Sequence, residues 1–157
     1  MIGTANVNNL PYWYLFLTLL FLIGISIYDI LHHKIKNLAL LFFLIWCLIS
    51  IPLCWNDEAT YFVTCILESL LGLFWGAFIF LAVSYIPGCH IGGGDIKLAA
   101  LLGFLAGPQG ILIISFSSAV YAFLYLQFLC KKSQRAIPFA PFLLLDTLTL
   151  LCIWRYQ

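Results

Sequence analysis

Charge is what this chain lacks. Its 157 residues carry only 7 basic and 6 acidic side chains, 8% of the total, where a soluble domain carries about 25%. That scarcity excludes a soluble globular enzyme and a disordered chain. A net charge of +1 excludes nucleic acid as a partner, because it leaves no basic footprint. The six cysteines (Cys47, Cys54, Cys65, Cys89, Cys130 and Cys152) include no C-x-x-C pair. A zinc knuckle or redox pair is therefore not expected, and the cysteines read as small apolar fillers. The first nine residues have no basic stretch. The apolar run after them is too long for a signal peptide and has no small-residue cleavage site, so it is expected to stay as a first span. No internal repeat is visible.

Apolar residues are abundant instead, at 64%. At ~20 residues per membrane-spanning helix, this is material for about five or six spans. Six apolar segments can be read, at 12–31, 38–55, 61–86, 91–106, 110–129 and 138–154. Turn or charged residues separate them, and no soluble domain fits between. The predicted fold is an all-α polytopic membrane protein, a single integral-membrane domain over 1–157 with six transmembrane helices. Lys34 and Lys36 fall in the first connection, Lys97 stands at the third, and Lys131, Lys132 and Arg135 fall in the fifth, while Asp57 and Glu58 fall in the second. The positive-inside rule makes the odd connections cytoplasmic. Both termini are then outside.

The fourth segment is short. From Asp95 to Gly107 a helix rises only ~18 Å, against a hydrocarbon core of ~30 Å. A crossing segment with a glycine-rich, non-helical cytoplasmic start reconciles this with the charge rule. Such backbone persists at membrane depth only where protein buries it or water reaches it, which predicts a wet cleft around Gly92, Gly93, Gly94 and Asp95.

Two carboxylates stand out. Asp29 ends the first span and Asp95 starts the fourth, so both lie at the cytoplasmic edge. Acids in spans are costly and are functional candidates by default. Two close carboxylates in a poorly solvated site come to share a proton. One then activates water while the protonated one polarises a scissile carbonyl, the arrangement of an aspartic protease. Each acid alone has a plainer reading. Asp29 suits the interface beside His32, His33 and Lys34, and Asp95 suits a helix N-cap. Neither plainer reading explains why both fall on one face. The same acids also suit a proton-coupled small membrane transporter using them as a relay.

Gly92, Gly93 and Gly94 permit close backbone approach, which would let a substrate peptide reach the acid. A phosphate-cradling loop is disfavoured because no G-K-[ST] follows. Asp29, His32 and His33 have metal-ligand spacing, but the helix ends there and no H-E-x-x-H exists, so no metal is expected. Lys97 reads as a snorkelling anchor or as a support behind the acids. His90 reads as a loop residue, Glu68 as a polar helix contact, and Trp46, Trp55, Trp75 and Trp154 as bulk and interface anchors. Asp146, deep in the sixth span, needs a partner or water.

These residues resemble a known family. Tyr28 to Asn37 (YDILHHKIKN) resembles the first aspartate motif of the type 4 prepilin leader peptidases. Gly92 to Gly107 (GGGDIKLAALLGFLAG) resembles their GxGD signature. Ile137 to Leu145 (IPFAPFLLL) is similar to the Pro-Phe-x-Pro-Phe lead into their last span. Three motifs in order, from about Leu15 to Leu151, make the likeness specific.

The resemblance implies an intramembrane aspartyl endopeptidase of the bacterial cytoplasmic (inner) membrane, with Asp29 and Asp95 as the catalytic pair. Its substrates would be prepilins of type IV pili or pseudopilins of type II secretion. It would cut on the cytoplasmic side, between a basic leader and an apolar helix. Lys36 stands where the family has proline, and Asp146 where it has a small or apolar residue. Full-length bacterial members also carry a Cys-x-x-Cys domain and N-methylate the product. This chain shows neither that pair nor an S-adenosylmethionine site, so the short, peptidase-only form without a cofactor is expected. A basic leader would gain nothing from the basic cytoplasmic surface. Substrate capture would then rest on burying the apolar helix beside the spans.

Overall fold

The computed structural model describes residues 10–32, 35–53, 59–85, 92–128 and 139–155. All elements among the described residues are helical: α1 (Tyr12–His32), α2 (Asn37–Leu53), α3 (Ala59–Ser84), α4 (Gly93–Phe128) and α5 (Ala140–Arg155). Stretches of α1, α3 and α4 are long and apolar enough to cross a membrane, while α2 and α5 are shorter apolar helices. The outer surface is apolar too. Phe16, Phe74 and Phe116 are 63%, 67% and 75% exposed, which suits contact with lipid rather than water. The charged connections at 33–34, 56–58 and 131–135, and His90, lie outside the described residues.

The fourth and fifth predicted segments form one element, α4, broken at Gly107. That residue has φ 71° and ψ 178°, a conformation that favours glycine. Pro108 follows, which disfavours helical geometry at the residue before it and supplies no N–H. The break is sharp. A Cβ added to Gly103 would stand 3.3 Å from Ile111 Cγ1, whereas a straight helix carries eight further residues ~12 Å along. The element therefore folds back into a first limb (93–106) and a second limb (108–128).

The expected non-helical glycine stretch is shorter than predicted. Only Gly92 stays outside the helix. Its carbonyl accepts the N–H groups of Asp95 at 3.0 Å and Ile96 at 3.3 Å. Those bonds close the first turn and draw Gly93 and Gly94 into it.

Close approach of α3 to α4 depends on small residues at four-residue spacing. A Cβ on Gly72 would collide with the Gly103 carbonyl, and one on Gly76 would lie 2.5 Å from the Ala99 oxygen. Gly72-x-x-x-Gly76 on α3 thus meets Ala99-x-x-x-Gly103 on α4, the small-residue packing by which membrane helices gain contact without a hydrophobic driving force. Cys47 and Cys65 are buried and free, and the Cys47 thiol faces the Leu101 carbonyl at 3.9 Å.

Away from the acids, α1 and α2 are clamped. The rings of Tyr14 and Trp46 stack with centroids 4.7 Å apart. The Tyr14 hydroxyl donates to the Trp46 carbonyl at 2.7 Å, and the Trp46 indole donates to Thr18 Oγ1 at 2.9 Å. Trp46 is therefore a helix-to-helix clamp rather than a plain interface anchor.

Candidate active site

The buried stripe of α1 runs Tyr14, Thr18, Leu22, Ile25 and then Asp29. Spacing of three or four residues places these side chains on one face, so an interior apolar face ends in an acid. Asp29 is 4% exposed. Its Oδ2 accepts the backbone N–H of Ala140 at 3.4 Å.

That donor exists because of how α5 begins. The Phe139 carbonyl accepts from Phe142 at 3.1 Å and Leu143 at 3.3 Å, which makes Phe139 the cap and Ala140 the first helical residue. The first N–H groups of a helix have no partner within it, and that of Ala140 turns to the acid. Pro141 sits in the first turn, where a missing N–H does no harm. The buried Ala140 (2% exposed) is small enough for α1 to come close.

Asp95 lies three residues past Gly92, in the first turn of α4, and its carboxylate takes the Gly92 N–H. It is the reach-back half of a capping box, one position type away from the N-cap expected of it. Oδ2 faces the glycine, and a Cβ there would lie 3.2 Å away. Oδ1 is buried with no hydrogen-bond partner among the described residues.

Asp95 and Asp29 are close enough to interact electrostatically. Both acids thus stand at helix N-termini, where partial positive charge favours an anion. α1 packs chiefly on α5, so the pair is set by α5, which packs against both acid-bearing helices, and by α2, which packs on α4.

Two contacts tie the first motif to the second. A Cβ on Gly94 would come 2.9 Å from Ile35 Cβ, so this glycine is required by close approach. Lys97 Nζ donates to Asn37 Oδ1 at 3.0 Å, joining the starts of α4 and α2. Gly92 and Gly93 are exposed and leave a way to the acids. His32 stacks on Tyr28 at 4.2 Å, and Lys36 Nζ lies 5.0 Å from the other member of that contact, the Tyr28 ring. Among the described residues no three His, Cys, Asp or Glu side chains are grouped to hold a metal.

Asp146 is 1% exposed, and neither of its oxygens has a hydrogen-bond partner among the described residues. Ser117 lies near it but gives its hydroxyl hydrogen to the Ile113 carbonyl at 2.7 Å. The Oε2 of Glu68 is also buried without such a partner.

Sequence reasoning missed Ala140 as a partner of Asp29, Ile35 as the neighbour of Gly94 and Asn37 as the partner of Lys97. The free first N–H of a Phe-Ala-Pro-Phe helix start is a signal for the first. Ile35 and Asn37 fall inside the first motif, but its spacing gives no sign of the residues they meet.

Comparison with known proteins shows the family. The type IV leader peptidase family model matches residues 16–127. A prepilin leader peptidase/N-methyltransferase of Legionella pneumophila is 34% identical over 86 residues, covering 51% of this chain and 30% of that relative. The match therefore spans less than a third of the relative's length. No solved structure matches the chain.

Proposed function

Because the chain belongs to the type IV leader peptidase family, we propose that it is an aspartyl endopeptidase that removes the leader from prepilins or pseudopilins. The observation that carries this reading is the proximity of Asp95 and Asp29, two acids from helices far apart in sequence that lie within electrostatic range of each other.

In the proposed reaction the two carboxyl groups share one proton. The ionised carboxylate takes a proton from water as its oxygen attacks the scissile carbonyl carbon. The protonated partner hydrogen-bonds to the carbonyl oxygen and gives it a proton. The resulting gem-diol collapses, the C–N bond breaks, and a carboxyl proton passes to the leaving amine. The N–H groups of Ala140 and Gly92 hold the two carboxyls in place. This chemistry needs water and no cofactor.

The topology we propose has six crossings, with the two limbs of α4 as separate spans and both termini outside. The acids then lie at the cytoplasmic face of a bacterial inner membrane. The proposal covers leader removal only; methylation of the product is no part of it.

The test is incubation of the purified protein with a prepilin in detergent, followed by N-terminal analysis of the product. One cut before the apolar helix is expected from the unsubstituted protein. Asp29→Asn and Asp95→Asn should each lower the rate by about 10²–10⁴-fold or more while still inserting. Normal processing by either variant would overturn the assignment.

A further inference from the structure

An apolar trough of about 560 Å³ opens between α1 and α2. It is a wedge. The Tyr14–Trp46–Thr18 clamp closes it away from the acids, and α1 and α2 otherwise touch little. Phe21, Gly24 and Ile25 line its α1 side, and Tyr28, Ile35 and Lys36 line its mouth. From Leu17 to Tyr28 it follows α1 for ~16 Å, about half the hydrocarbon thickness.

The mouth leads to the acids along two routes. Ile25, in the trough wall, and Asp29 lie four residues apart on one face of α1. Ile35, at the mouth, is the residue against which Gly94 closes, and Asp95 follows Gly94. A chain leaving the trough at Ile35 emerges beside the first turn of α4, which carries Asp95. Gly24 opens the wall further, since nothing lies within 4 Å of a Cβ added to it.

Resting on the peptidase reading, we propose that this trough receives the first turns of the substrate's apolar helix and delivers the peptide bond before them to Asp29 and Asp95. The cut lies at the leaflet edge and the apolar helix begins beside it. The helix start must therefore sit within the same leaflet, next to the acids. The trough has that depth, that polarity and that exit. It also supplies the recognition that the basic surface near the site does not. An acyl chain of a lipid is the competing occupant.

Cleavage by the unsubstituted protein is measured first; if none occurs, the peptidase reading falls and this proposal with it. Gly24→Phe, whose Cβ has open space around it, projects a ring into the trough and should lower kcat/KM for a full prepilin by about tenfold or more, mostly through KM. Leu112→Phe, on an exposed face of α4, should change nothing. In a second measurement, a benzophenone amino acid replaces Phe42, an aromatic already lining the trough, in the Asp29→Asn protein, which is expected to bind without cutting. Cross-links to the first two turns of the prepilin's apolar helix are expected. Cross-links to lipid alone, or unaltered kinetics of Gly24→Phe beside active unsubstituted protein, would overturn the trough while leaving the peptidase reading intact.

Discussion

The Oδ2 of Asp29 stands 3.4 Å from the backbone nitrogen of Ala140, so an acid of the first helix occupies the N-terminus of the last. Removing that donor while keeping the helix is possible, because proline is at home in the first helical position and the cap before it already has an extended backbone. Ala140→Pro should lower the cleavage rate by about tenfold, the scale of one hydrogen bond to a charged group. Ala140→Gly, which keeps the N–H, should stay close to the unsubstituted rate. Equal rates for the two variants, measured on protein of equal thermal stability, would remove the hydrogen bond from the account.

Gly94 and Ile35 offer a test of how the two motifs are held. A methyl group at Gly94 would come 2.9 Å from Ile35 Cβ, closer than real side chains approach. Gly94→Ala should therefore shift Asp95 and slow cleavage. Ile35→Gly in the same chain should restore much of the loss, since it removes the Cβ that the added methyl would strike. A double-mutant cycle reads the coupling directly. Additive effects would mean that the glycine matters for the substrate's approach alone.

How far the sequence anticipates this arrangement depends on whether a feature is local. Asp29 and Asp95 were readable as a pair because the bilayer supplies a shared frame: charge placement orients the segments, and depth along each helix follows from its rise. The short fourth segment was readable for the same reason. The way it joins the fifth was not anticipated, since Gly107 and Pro108 look like an ordinary turn and give no hint that Gly103 and Ile111 meet. Helix adjacency was equally hidden. Gly72-x-x-x-Gly76 was not singled out, and its facing partner on α4 depends on which helices are neighbours. The glycines before Asp95 suggested loop, yet Gly93 and Gly94 are helical because the Gly92 carbonyl closes a turn around them.

The α3–α4 seam carries a prediction about stability rather than chemistry. The atom that a Cβ on Gly72 would strike is the Gly103 carbonyl oxygen, a backbone atom that cannot rotate away. Gly72→Ala and Gly103→Ala should each destabilise the protein by about 3 kcal/mol, the upper end of overpacking costs. Gly24→Ala meets nothing and gains helix propensity, so it should be neutral or slightly stabilising. Thermal unfolding in one detergent compares the three variants. Equal midpoints would show that the seam tolerates a wider separation.

Asp146 invites the opposite change. Its side chain is 1% exposed, its oxygens find no partner within hydrogen-bond geometry among the described residues, and the hydroxyl of nearby Ser117 has competing acceptors in the Ile113 and Ile114 carbonyls. A buried polar group without a hydrogen bond costs about 1–3 kcal/mol, and an apolar side chain of similar volume in its place avoids that cost. Asp146→Leu should therefore raise the unfolding midpoint, whereas Asp146→Asn keeps the polarity and should not. Prepilin cleavage by the leucine variant separates the two possible reasons for the acid. Unchanged cleavage with greater stability makes Asp146 a tolerated burden of this chain. A loss of cleavage in a protein that is no less stable would place Asp146 in the machinery behind the catalytic pair.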